Sequence, residues 1–132
     1  MTPDSTFQRE ELPAVQHMLD ETVGKPVRLE VDWQSLLFDC EPHHYDEYWT
    51  KLFFAPLERG LLDVCRDEPA RCAVANVLQS IVIRNTGSTT TSRTWCHFEN
   101  GVLTLDHAMA NIDDVDERAQ RLVRVLERAS MQ

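Results

Sequence analysis

The chain has few of the features by which a sequence announces its chemistry. No stretch approaches the apolar length of a membrane span, and the opening residues M-T-P-D-S-T-F-Q-R-E-E-L hold no basic segment leading into an apolar run. A cytoplasmic location is therefore expected, with Cys40, Cys65, Cys72 and Cys96 reduced. Lysine is scarce, since Lys25 and Lys51 are the only two, and the resulting arginine bias points to a bacterial source. Positive charge is short altogether: 13 basic residues face 22 acidic ones, for a net charge of −9 at pH 7. A phosphate backbone or an anionic membrane would be repelled, so neither nucleic acid nor membrane is expected as a partner. The glycine spacing of a dinucleotide fingerprint, the Gly-Lys of a P-loop, a nucleophile-elbow sequence and any internal repeat are all missing, and no cofactor is expected.

What is present suits a globular protein. At 132 residues, 42% hydrophobic and 27% charged, the chain fits a single domain over 1–132. A chain of this size buries about two-thirds of the surface its unfolded form exposes.

The stretch 80–107 carries the most information. Asn100-Gly101 between two alternating runs signals a type I′ hairpin, because both central positions of that turn need positive φ. The turn sets the register: Glu99 faces Val102, Phe98 faces Leu103, His97 faces Thr104, Cys96 faces Leu105, Trp95 faces Asp106 and Thr94 faces His107. Alternation then puts Cys96, Phe98, Leu103 and Leu105 on the core side, and Trp95, His97, Glu99, Thr104 and Asp106 on the other. Trp95, His97 and Asp106 on the more polar face are candidate partner-binding residues, since tryptophan fills pockets at interface hot spots. The competing reading is that another element covers Trp95. Between the strands, 86–93 is a polar loop with three successive threonines, read as a solvated connection.

Elsewhere, Leu12, Val15, Leu19 and Val23 predict an amphipathic helix over 6–23, stopped by Gly24. Residues 27–33 alternate as a half-buried strand of antiparallel type. Tyr45, Tyr48, Trp49, Leu52 and Phe53 lie at helical spacing in 43–54, a stripe read first as core and second as a contact surface. Pro56 and Pro69 open two further helices, and a last helix runs from about 114 to 129. In that helix Leu122 and Leu126 are read as inward, and Arg118, Arg121, Arg124 and Arg128 as an outward arginine face, either solvated or the one basic patch on an acidic molecule. The expected fold is α+β and two-layered. Its sheet is four-stranded and mostly antiparallel (27–33, 80–85, 93–99, 102–107), the terminal helices share one face, and a helical insert separates the first two strands.

Two constellations bear on chemistry. Cys40, His43 and His44 form one pair at zinc-like spacing without a second matching knuckle, so a metal site there is a minor alternative. Cys96 and His97 point to opposite faces and cannot act as a thiolate and its base. The carboxylates of 111–117 lack the interleaving and the central glycine of a calcium loop and suit a helix N-terminus instead. The reading that emerges is a non-catalytic acidic interaction domain, of adaptor, inhibitor or toxin-neutralising type, that binds a protein with a basic surface. Its candidate contacts are Trp95, His97 and Asp106 on the sheet, with Asp39, Glu41, Asp46 and Glu47 around the aromatic helix. The alternatives are a small metal- or thiol-dependent enzyme using Cys40, His43 and His44, and a structural homodimeric subunit.

Overall fold

The computed structural model describes residues 11–37 and 44–131. Asp39, Cys40, Glu41 and His43, and the part of the first expected helix before Glu11, lie outside the described residues. Helix α1 spans Leu12–Val23, with Pro13 in its first turn and Gly24 closing it at φ 88°. The Asp20 carboxylate then ties the helix to the incoming strand by accepting from Val27 N–H at 3.0 Å. Strand β1 is Arg28–Val31, and the short helix α2, Trp33–Leu36, is capped by the Asp32 side chain.

Helix α3, Tyr45–Trp49, runs without a break through a π-turn, Thr50–Phe54, into α4, Ala55–Val64. The sequence reading placed a new helix at Pro56; the chain instead stays helical and widens one turn earlier. A proline ring inside a regular helix clashes with the carbonyl four residues back, which the wider turn relieves, and supplies no N–H, which the turn does not replace. Helix α5, Glu68–Val77, follows, capped by the Asp67 side chain on Ala70 N–H at 2.9 Å. Then come β2 (Ser80–Arg84), β3 (Cys96–Glu99), β4 (Val102–Asp106) and helix α6 (Val115–Ser130).

The fold is α+β with a four-stranded sheet in the order β1-β2-β4-β3. The sheet is mixed rather than mostly antiparallel: β1 pairs parallel with β2, β2 parallel with β4, and only β3 runs antiparallel, against β4. The alternation in β1 arises because it is an edge strand with Arg28 and Glu30 exposed, and one-sided exposure gives the same pattern in either direction. The hairpin is as the sequence dictates. Cys96 pairs with Leu105, His97 with Thr104, Phe98 with Leu103 and Glu99 with Val102, and Asn100 and Gly101 have φ of 52° and 83°.

Ile81, Ile83, Leu103, Leu105 and Cys96 share the buried face of the sheet and meet a helical layer containing Leu57, Leu61, Leu122 and Leu126. The aromatic stripe belongs to this core: Tyr45 stacks on Trp49 with ring centroids 4.7 Å apart, and Trp49 Nε1 donates to the Leu36 carbonyl at 3.3 Å. Helices α4 and α6 approach closely at Gly60. A Cβ there would stand 2.7 Å from Leu122 Cδ2 and 3.1 Å from the Ala119 carbonyl oxygen. No helix among the described residues is long and apolar enough to cross a membrane.

Candidate functional site

The structure separates the sheet residues singled out by the sequence. Trp95 is fully buried, and its Nε1 donates to the Arg118 carbonyl at 3.0 Å. It was expected on the outer face by extending the strand alternation, but β3 starts only at Cys96 and the chain bends before it, which turns the indole into the core. Asp106 is also buried. Its carboxylate accepts from Thr86 N–H at 2.9 Å, Thr86 Oγ1 at 2.8 Å and Arg84 Nε at 3.2 Å, pinning the threonine-rich loop to the end of the sheet. His97 stays exposed on β3.

Asp46 and Glu47 are exposed in the first turn of α3, and Glu47 meets Lys51 Nζ at 2.9 Å. That hydrogen bond holds the Glu47 carboxyl below its ordinary value and raises Lys51. Lys51 also lies 3.9 Å from Asp113, and Arg59 pairs with Asp116, so the carboxylates of 113–116 join those of α3 on one side of the molecule.

Two buried titratable groups lie near the hairpin, Cys96 and His107. Burial pushes the Cys96 thiol up to about 12, against a small opposing effect of Arg121, which leaves almost no thiolate at neutral pH. His107 is fully buried beyond β4, and burial lowers its pKa, with the nearby Arg118 charge adding to the effect. His44 stacks on Tyr48 with ring centroids 5.3 Å apart; its companions Cys40 and His43 lie outside the described residues. Among the described residues no three possible metal ligands come together.

Arg118 is not part of an outward face. It is fully buried, donating from Nη1 to the Asn111 carbonyl at 2.9 Å and from Nη2 to the carbonyls of Ile112 at 2.9 Å and Lys51 at 3.1 Å. The Lys51 carbonyl needs this donor. Ala55 N–H is turned to Thr50 by the π-turn, and residue 56 is proline and has no N–H.

The remaining arginines of α6 define a feature visible in the sequence only as a helix face. A groove of about 500 Å³ runs between β3 and one flank of α6, with Arg121, Arg124 and Arg128 on the helix side and His97 and Glu99 on the strand side. A second hollow of about 280 Å³ shares Arg121 and Arg124 and extends to Arg93. Most other cations sit on carboxylates: Arg28 on Glu30, Lys51 on Glu47, Arg59 on Asp116, Arg66 on Glu127, Arg71 on Glu68 and Arg84 on Asp106. Arg93, Arg121, Arg124 and Arg128 have no carboxylate partner among the described residues. The groove also borders a strand edge that is open among the described residues, since β3 ends their sheet. Compared with protein-family models, curated proteins and solved structures, the chain matches none.

Proposed function

We propose that the chain is a non-catalytic interaction domain that works by docking another protein, as an adaptor, inhibitor or toxin-neutralising protein does. The observation that carries this reading is the sorting of surface charge. Exposed arginines without carboxylate partners among the described residues gather along one groove, while Glu47, Asp113 and Asp116 gather around Lys51 and Arg59, with Asp46 next to Glu47 in the first turn of α3. Charge sorted in this way steers encounter and fixes orientation, which is its main use at protein interfaces. The acidic side fits a partner with a basic surface, and a cytoplasmic protein is the setting we favour. Trp95 and Asp106 drop out as contacts because both are buried, whereas Asp46, Glu47 and His97 remain reachable. The enzyme alternative draws nothing from Cys96 or His107, whose surroundings disfavour thiolate and imidazolium. A homodimeric structural subunit keeps one supporting observation, the edge of β3 that is open among the described residues.

The test is to capture partners on the immobilised full chain and then measure binding of the purified partner. Between about 50 and 500 mM salt the association rate should fall roughly tenfold or more, and Asp46→Lys with Glu47→Lys should slow association while leaving dissociation nearly unchanged. A captured partner whose association ignores both salt and this double reversal would overturn the acidic-face reading.

A further inference from the structure

We propose that the groove between β3 and α6 takes an extended acidic segment of a partner protein, which adds to the sheet as a fifth strand beside β3. The proposal rests on the interaction-domain reading, but it concerns the opposite charge and a separate surface.

The backbone supplies the first part of the argument. Opposite residues in an antiparallel pair alternate between those that exchange hydrogen bonds with each other and those that do not. Asp106 N–H donates to the Trp95 carbonyl at 2.7 Å, so the main-chain groups of Trp95, His97 and Glu99 point toward β4. Those of Cys96 and Phe98 therefore point away from the sheet, and among the described residues β3 has no strand on that side. An incoming extended chain finds two N–H and two C=O groups at the spacing of a strand ladder. Strand addition of this kind takes affinity from main-chain bonds and specificity from alternate side chains.

The side chains supply the second part. Arg121, Arg124 and Arg128 line the same groove along one stripe of α6, rising about 10 Å from first to last. Side chains on one face of a strand recur roughly every 6.7 Å, so two or three carboxylates at alternate positions span the arginine row. Arginine grips a carboxylate through two parallel N–H···O bonds, and no described carboxylate already occupies these three guanidinium groups. The complementary ligand is an extended segment with aspartate or glutamate at every second position.

Two other occupants fit less well. A second copy pairing β3 to β3 about a two-fold axis would bring both arginine rows to one seam, like charge against like. Single-stranded nucleic acid brings negative charge but no ladder of main-chain N–H and C=O groups, so it would leave the outward groups of Cys96 and Phe98 without strand partners.

The experiment uses the full chain and fluorescein-labelled octapeptides, read by anisotropy, with amide hydrogen exchange on the protein. Alternating glutamate and valine should bind with a dissociation constant on the order of tens of micromolar. The same residues arranged as a block of four and four should bind about fivefold or more weakly, and a lysine–valine repeat should not bind. Arg121→Gln with Arg124→Gln should weaken the alternating peptide roughly tenfold while circular dichroism stays unchanged. The bound peptide should also slow exchange at the Cys96 and Phe98 amides. Equal binding of block and alternating peptides, binding of the lysine repeat, tighter binding of a ten-nucleotide oligouridylate, or no peptide binding would each overturn the proposal. So would dimerisation at micromolar concentration that protects the same two amides without peptide. The salt and Asp46/Glu47 measurements on a captured partner read the acidic face independently, so either result can fail without the other.

Discussion

His107 and Arg118 are the two titratable side chains that the fold buries completely among the described residues, and both sit where β4 hands over to α6. The His107 ring is fully enclosed, with Nδ1–H donating to the Ala108 carbonyl at 2.6 Å and Nε2 buried without a partner among the described residues. Burial is the largest cause of its lowered pKa, Arg118 adds to it, and the Ala108 carbonyl, Asp106 and Asp114 partly oppose it. The sign of the pH effect follows. The unfolded chain takes up this proton near pH 6.5 and the folded chain only lower, so stability is complete above about pH 6.5 and is lost as pH falls toward the folded value. Between those limits the loss approaches about 1.4 kcal/mol per pH unit. Urea unfolding of wild type and His107→Gln from pH 7.5 to 5 should therefore show a flatter pH dependence for the variant, whatever its absolute stability; parallel slopes would mean that this imidazole does not titrate out of register with folding. Legibility of the candidate site also turns on single residues here. Arg118 lies four residues before Leu122 and eight before Leu126, so helical spacing alone places it on the buried face. Grouping it by charge with Arg121, Arg124 and Arg128 overrode that signal. The three true groove arginines were visible as a helix stripe, but only the tertiary structure shows that the stripe faces a strand edge.

The continuous helix from α3 to α4 is held in its widened form by a contact from α6. Pro56 removes one donor and the π-turn diverts another, so the Lys51 carbonyl depends on Arg118 Nη2, 67 residues away in sequence. Arg118→Met would leave the carbonyls of Lys51, Asn111 and Ile112 without this donor, at a cost of about 3 kcal/mol or more. Pro56→Ala restores an N–H that can serve the Lys51 carbonyl from within the helix. The two substitutions should therefore couple: Arg118→Met should cost about 1 kcal/mol less in the Pro56→Ala background, measured as a double-mutant cycle in urea. Strict additivity would show that Lys51 finds a donor elsewhere. A second contact, Gly60 against α6, has a simpler expectation. Gly60→Val drives a side chain into Leu122 and the Ala119 carbonyl and should destabilise by about 2 kcal/mol or more in the same assay. At this scale the sequence was most readable where structure is local. Asn100-Gly101 dictated a turn, and the turn dictated four strand pairs. Strand order was not readable, because β1 and β2 are joined through 48 intervening residues and alternation records only which face is covered. Trp95 marks the boundary, one residue beyond where the alternation stops governing direction.

For the whole molecule, an uneven distribution of charge poses a thermodynamic question. On a chain of net charge −9, any arginine gains from the average field of the rest, so clustering alone could reflect nothing but stability. That field is screened beyond about 8 Å at physiological salt, which leaves the near neighbours to decide. Arg121 and Arg124 are exposed and three residues apart on one helix face, where like charges cost a few tenths of a kcal/mol. No carboxylate among the described residues pairs with either. Arg128 differs, since it lies in the last turn of α6, where a cation favours the helix dipole. Glu117, one helical turn before Arg121, returns no more than a few tenths of a kcal/mol, so local physics gives the fold little net reason to keep Arg121 and Arg124, whereas an acidic ligand would. Arg121→Gln with Arg124→Gln should accordingly leave unfolding free energy in 150 mM salt within about 0.5 kcal/mol of wild type, or raise it slightly. A loss above about 1.5 kcal/mol in urea titration would show that the arginines hold the domain together and would remove the argument that they are kept for a partner. With stability unchanged, a weakened interaction in the same variant can be assigned to the groove itself, because the body that presents it is intact.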